Sequence, residues 1–146
     1  MAAKRKAQAV WENDLLRGHG KVSGTSGGLG EVAVSWSART EASGGKSSPE
    51  ELLAAAHASC FCMALSNTLA KMQHAPERLE VSATCTFDKV GDSWTVTTME
   101  LDVAAKAANL DAKGLSEAAQ TAAINCPISR ALRGNVEVKV ASTRVL

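Results

Sequence analysis

The chain has 146 residues, 45% of them apolar, 21% charged and 3% aromatic, and 16 basic against 15 acidic side chains leave a formal net charge of +1. These proportions describe one globular domain spanning 1–146 and exclude disordered, collagenous and multidomain alternatives. So balanced a charge, with only Trp11, Trp36, Trp94, Phe61 and Phe87 as aromatics, provides neither the basic footprint nor the stacking platform of a nucleic-acid binder.

The first residues, Met1 to Lys6, are basic, but Gln8, Glu12, Asn13 and Asp14 follow where a secretory signal needs an unbroken apolar run, so a cytoplasmic protein is expected. Eight of the eleven glycines precede residue 46. Together with alternating runs such as Val32, Val34 and Trp36, they predict an antiparallel layer of short strands near residues 5–13, 17–24 and 29–38.

From Pro49 the texture changes. Leu52 to Ala70 carries no formal charge, which predicts a helix buried on nearly all sides. His57, Ser59, Ser66, Asn67 and Thr68 make it too polar for a membrane span. Small residues at 54, 55, 56, 58 and 64 permit close backbone approach, and a domain of this size cannot cover such a helix alone, so a second subunit is expected to complete its burial. Val81, Ala83, Cys85 and Phe87 then alternate with polar neighbours, Gly91-Asp92 offers a two-residue reversal, and a second strand is expected at 93–104. Asp111 caps a second predicted helix that runs to Asn125 and is interrupted by Pro127. After a short turn ending at Gly134, Val136, Val138 and Val140 mark a final strand. Strands, helix, hairpin, helix and strand in that order predict an α+β fold.

Residues 40–47 read Thr-Glu-Ala-Ser-Gly-Gly-Lys-Ser, one residue short of a phosphate-binding loop. Pro49 removes a backbone N–H, and Glu50 and Glu51 put carboxylates where a nucleotide would sit, so the segment reads as a flexible turn. Ser48-Pro49-Glu50-Glu51 is a helix start with a serine cap, proline at the first position and Glu51 able to close a capping box. Glu50 is not needed for that cap, although it also favours the helix dipole.

Four cysteines stand at 60, 62, 85 and 126. They lack the spacing of a zinc site, and the chain is long enough to fold without disulfides. Cys85 follows the inward alternation of its strand. Cys60 sits on the apolar helix, where a thiol is inert unless a cation stands near it. His57, one turn earlier, is a candidate cation or base, although a lone histidine there is more often a core residue. Arg39, before the helix, is the other candidate cation, although its pattern alone favours an exposed strand-end residue. Cys126, beside the Pro127 break, can face a cleft.

The run Pro49-Glu50-Glu51-Leu52-Leu53-Ala54-Ala55-Ala56-His57-Ala58-Ser59-Cys60-Phe61, followed by Met63-Ala64-Leu65-Ser66 and by Cys126-Pro127-Ile128-Ser129, resembles the signature of the osmotically inducible protein C and organic hydroperoxide resistance family. The likeness extends from Trp11-Glu12 and Arg17-Gly18-His19-Gly20 to the last strand. The position of Arg39 is similar to that in the osmotically inducible branch. The resemblance implies an OsmC-like α+β fold with strand layers around long central helices, an intertwined homodimer, and thiol-dependent reduction of organic hydroperoxides and, less efficiently, of hydrogen peroxide. It implies Cys60 as peroxidatic cysteine, Cys126 as resolving cysteine, Arg39 as the group that keeps Cys60 ionised and Glu50 as the residue that orients Arg39. The reductant would be a thiol or dithiol, a lipoylated protein among them, and no metal, flavin or haem is required. Members often carry serine where Cys62 stands, so Cys62 receives no role. A Cys60/His57 acyl-transfer or hydrolytic enzyme and a non-enzymatic stress or lipid-binding protein are the alternatives.

Overall fold

The computed structural model describes residues 1–146, which divide into two compact units, 1–52 and 53–146. In the first unit, β1 (Ala7–Glu12), β2 (His19–Gly24) and β3 (Val32–Val34) form an antiparallel sheet in that order. Gly20 is required where it stands: a Cβ there would come within 2.7 Å of the Trp11 ring, which pairs with it across the β1–β2 ladder.

The third predicted strand is shorter than the alternation implied. It stops at Val34 because Ser35 turns the chain into a helix, its hydroxyl accepting a hydrogen bond from the Ala38 N–H at 3.2 Å. The result is α1 (Trp36–Thr40), and Arg39 ends this short helix, not a strand. The glycine turn follows, with Gly44 and Gly45 both at positive φ, where a side chain would be strained.

Next comes α2 (Pro49–Lys71). Ser48 Oγ accepts from the Glu51 N–H at 3.1 Å, as expected of the cap. Glu51 itself accepts from Ser47 Oγ at 2.5 Å, so its carboxylate is held by the neighbouring serine.

The second unit contains most of α2, then β4 (Pro76–Val90), β5 (Ser93–Ala107), α3 (Ala112–Asn125), α4 (Pro127–Leu132) and β6 (Glu137–Val145). The hairpin turns at Gly91, whose φ of 61° falls at the first central position of a two-residue loop, where glycine is favoured. Asp111 Oδ1 caps α3 by accepting from the Gly114 N–H at 2.7 Å. The sheet order is β4-β5-β6, antiparallel between β4 and β5 and parallel between β5 and β6. A parallel partner needs a crossover of a dozen residues or more, and α3 and α4 provide it.

The core of this unit is built from three periodic faces. Phe61, Leu65 and Leu69 come from α2, Leu101, Val103 and Ala105 from β5, and Leu115, Ala118, Ala119 and Ala122 from α3. Each large side chain so buried contributes about 1.5–3 kcal/mol. The all-round burial expected of α2 is not present within one chain. His57, Phe61, Leu65 and Leu69 form its buried stripe, while Ala56, Ser59, Met63, Asn67 and Ala70 are exposed. By length and composition α2 could cross a bilayer, yet that stripe is consumed by the protein core.

Candidate active site

In the second unit the cysteine motifs converge. Cys60 projects from the middle of α2, and Cys126 occupies the single residue between α3 and α4, where Pro127 prevents one helix from running into the next. Their Sγ atoms are 3.5 Å apart. Both are free thiols; Cys60 is half-buried and Cys126 fully buried.

A cleft of about 690 Å³ opens at Cys60, walled by Met63, Ala64 and Met72 and bordered by Asn67, Lys71 and Asn125, among others. Leucine and phenylalanine of the same helix are absent from this wall. The structure keeps the methionines only, because Phe61 and Leu65 share the i, i+4 stripe that faces the core.

The two sulfurs differ in environment. Burial pushes the Cys60 thiol above its ordinary value; the Ile128 backbone N–H opposes this and the neighbouring Cys126 reinforces it. Burial alone would raise Cys126 too. The backbone N–H and the hydroxyl of Ser129 outweigh it, with help from Cys60 and the Ile128 backbone, and the net effect is to hold Cys126 below its ordinary value. The amino-terminal turn of α4 thus favours a negative sulfur at position 126.

His57 is fully buried, and its Nε2 lies 2.7 Å from Ser129 Oγ. It is therefore engaged with serine, and burial lowers its pKa and disfavours the imidazolium. It supplies Cys60 with no cation, and the Cys60/His57 dyad of an acyl-transfer enzyme loses its geometric basis. Ser129 lies in the first turn of α4, within the Cys126-Pro127-Ile128-Ser129 run. Cys62 is half-buried on α2, and Cys85 half-buried on β4.

In the first unit Arg39 and Glu50 form a forked ion pair. Arg39 Nε donates to both carboxylate oxygens at 3.2 and 3.1 Å, and Nη2 donates to Oε1 at 2.6 Å. The Glu50 side chain is 8% exposed and that of Arg39 28%, so the pair is substantially desolvated. The guanidinium also lies over Trp36, with Cζ 5.6 Å from the ring centroid. Carboxylate and indole together fix its plane, as a positioned cation requires.

Comparison with known proteins identifies the family. The family model of OsmC-like protein matches residues 42–141. Over 136 residues the chain is 35% identical to Peroxiredoxin OsmC of Escherichia coli K12, covering 93% of this chain and 94% of that one, and the protein of the same name from Shigella flexneri matches equally well. In fold it is similar to OsmC like protein from Mycoplasma pneumoniae, with a TM-score of 0.76 at 16% identity over the full length of both chains. It is likewise similar to the organic hydroperoxide resistance protein OhrB of Bacillus subtilis, with a TM-score of 0.70 at 22% identity over 97% of this chain and 98% of that one. A family match over more than half its length, joined to this identity and to the same α+β fold, establishes that the chain belongs to the OsmC-like protein family.

Proposed function

We propose that this protein is a thiol-dependent peroxidase that reduces organic hydroperoxides, and hydrogen peroxide less efficiently, with residues 1–146 acting as one OsmC-like domain. The observation that carries the reading is the 3.5 Å approach of two free thiols, one of which, Cys60, lines an open cleft. The family relationship to Peroxiredoxin OsmC supports it.

The Cys60 thiolate attacks one peroxide oxygen, the O–O bond breaks, and the alkoxide takes a proton and leaves as alcohol, so that Cys60 becomes a sulfenic acid. Cys126 thiolate attacks that sulfur, the S–O bond breaks, and the departing hydroxide is protonated to water. A cellular thiol or dithiol, lipoylated proteins among the candidates, then reopens the disulfide by exchange. Because burial and Cys126 both oppose ionisation of Cys60, the reading needs a cation, for which we assign Arg39 with Glu50 as its orienting partner. No metal or organic cofactor enters these steps.

We further propose a cytoplasmic homodimer. Its support is the exposed stripe of α2, on which Met63 is 67% exposed although it belongs to a predominantly apolar helix. A reducing compartment suits a disulfide that must be reopened every cycle.

The deciding experiment adds one equivalent of an alkyl hydroperoxide to reduced protein and follows thiols and alcohol together. Two thiols should disappear as one alcohol forms, and Cys60→Ser should do neither. Alcohol formation undiminished in Cys60→Ser would refute the assignment.

A further inference from the structure

Side chains of α2 meet the start of α4 at two neighbouring points, and the cycle above uses only one of them. The first is the pair of sulfurs, 3.5 Å apart. The second is His57 Nε2 and Ser129 Oγ, 2.7 Å apart. His57 stands about one turn before Cys60 on α2, and Ser129 lies in the first turn of α4, which Cys126 opens. His57 is 0% exposed and Ser129 3%. Ser129 is also the one buried residue of α4, whereas Pro127, Arg130 and Ala131 face solvent. The Cys126 side chain makes no cap bond to the helix it opens, so its place depends on where the backbone of that first turn is held. His57 Nδ1 is buried without a partner. Buried orphan N–H groups are rarer than orphan acceptors, so the ring proton belongs on Nε2, which donates to Ser129 Oγ.

We propose that the His57–Ser129 hydrogen bond is a buried strut between α2 and α4 that holds Cys126 within reach of Cys60 and thereby sets the stability and the rate of closure of the Cys60–Cys126 disulfide. Both residues act through backbone position, without touching peroxide. The inference rests on the peroxidase reading of the two cysteines. Bringing the sulfurs into a bond takes about 1.5 Å, which rotation of the two cysteine side chains can supply while the strut stays within the roughly 2.7–3.2 Å range of an N–H···O bond. A strut present in both redox forms favours the disulfide, because the position of Cys126 is fixed before the bond forms. It also decides a competition. The Cys60 sulfenic acid either loses hydroxide to the attacking Cys126 thiolate, giving disulfide and water, or takes a second oxygen from another hydroperoxide, whose O–O bond breaks to give sulfinic acid and alcohol. Only the first route depends on where α4 is held.

Equilibration of the protein with mixtures of reduced and oxidised dithiothreitol measures this directly, with the Cys60–Cys126 disulfide quantified by mass spectrometry so that Cys62 and Cys85 do not contribute. Ser129→Ala and His57→Leu, each checked for fold by circular dichroism, should lower the equilibrium constant for the disulfide about tenfold, the scale of one lost hydrogen bond, which raises the reduction potential by about 30 mV. His57→Gln, which keeps a donor for Ser129, should return it to near the parent value. A role in packing alone would lower global stability without moving this potential. After a pulse of excess hydroperoxide, the fraction of Cys60 found as sulfinic acid should rise severalfold in Ser129→Ala and His57→Leu and fall back in His57→Gln. A potential unchanged or more negative in folded Ser129→Ala and His57→Leu would overturn the strut. Because dithiothreitol forms the disulfide without peroxide, that result is independent of the catalytic reading, which would instead fall if hydroperoxide failed to oxidise Cys60 in the unsubstituted protein.

Discussion

The Sγ atoms of Cys60 and Cys126 stand 3.5 Å apart across 66 residues of chain, close enough to interact and too far apart to be bonded. A disulfide needs a separation near 2.05 Å and a defined torsion, so about 1.5 Å of approach separates the reduced pair from the oxidised one. Cys126 lies in the one-residue break between α3 and α4, outside regular helix.

That arrangement predicts the behaviour of Cys126→Ser. The variant should release one equivalent of alcohol per subunit and stop, with Cys60 trapped as sulfenic acid or overoxidised. Mass spectrometry of Cys60 after a single hydroperoxide pulse checks this, and sustained dithiol-driven turnover would show that Cys126 is dispensable.

The proposed role of Arg39 concerns the earlier step. Arg39→Ala should raise the Cys60 pKa and slow its oxidation about 10- to 100-fold, the range of one charge-assisted hydrogen bond worth about 1.5–3 kcal/mol. Glu50→Gln, which weakens the fork while retaining its shape, should slow it less. Stopped-flow oxidation across a pH series measures both, and a Cys60 titration identical to that of the parent protein would remove Arg39 from the site.

His57 gives the stability a pH signature. Burial holds its folded-state pKa below the value in the unfolded chain, so the unfolded state takes up the proton first. Stability from this group is complete above about pH 6.5 and is lost as the pH falls through that value, no more steeply than about 1.4 kcal/mol per pH unit for one proton. Denaturant unfolding between pH 7.5 and 5 should show a shallower decline in His57→Gln than in the parent protein. Parallel profiles would mean that His57 is not buried in its neutral form.

Two substitutions on α2, one on each face, should fail in different ways. Leu65 is fully buried, so Leu65→Ala should cost about 2–5 kcal/mol in chemical denaturation. Met63→Lys, on the exposed stripe, should leave the circular dichroism spectrum unchanged while shifting sedimentation from dimer to monomer. A parent protein that sediments as monomer at micromolar concentration would refute the homodimer.

Much of this molecule could be read from local chemistry. Ser48-Pro49, Asp111 and Pro127 mark helix boundaries through capping and through the missing proline N–H, which act over a few residues, and the structure places all three as expected. Gly91 marked the hairpin for the same reason. The cysteine motifs and their neighbours carried the family, and with it the fold class. Local rules misread Val32-Ala33-Val34-Ser35-Trp36, where alternation implied a longer strand and the Ser35 cap prevailed, so Arg39 ends a helix.

Relations between distant residues lie outside such rules, because they depend on which faces bury together. Nothing in the order of residues states that β6 pairs in parallel with β5 or that His57 reaches a serine 72 positions away instead of Cys60. The residue types at 60 and 126 determined which chemistry was available to this protein. Packing of α2 against β5 and α3 decided the rest, since burial and the first turn of α4 set the proton affinities of two otherwise identical thiols in opposite directions.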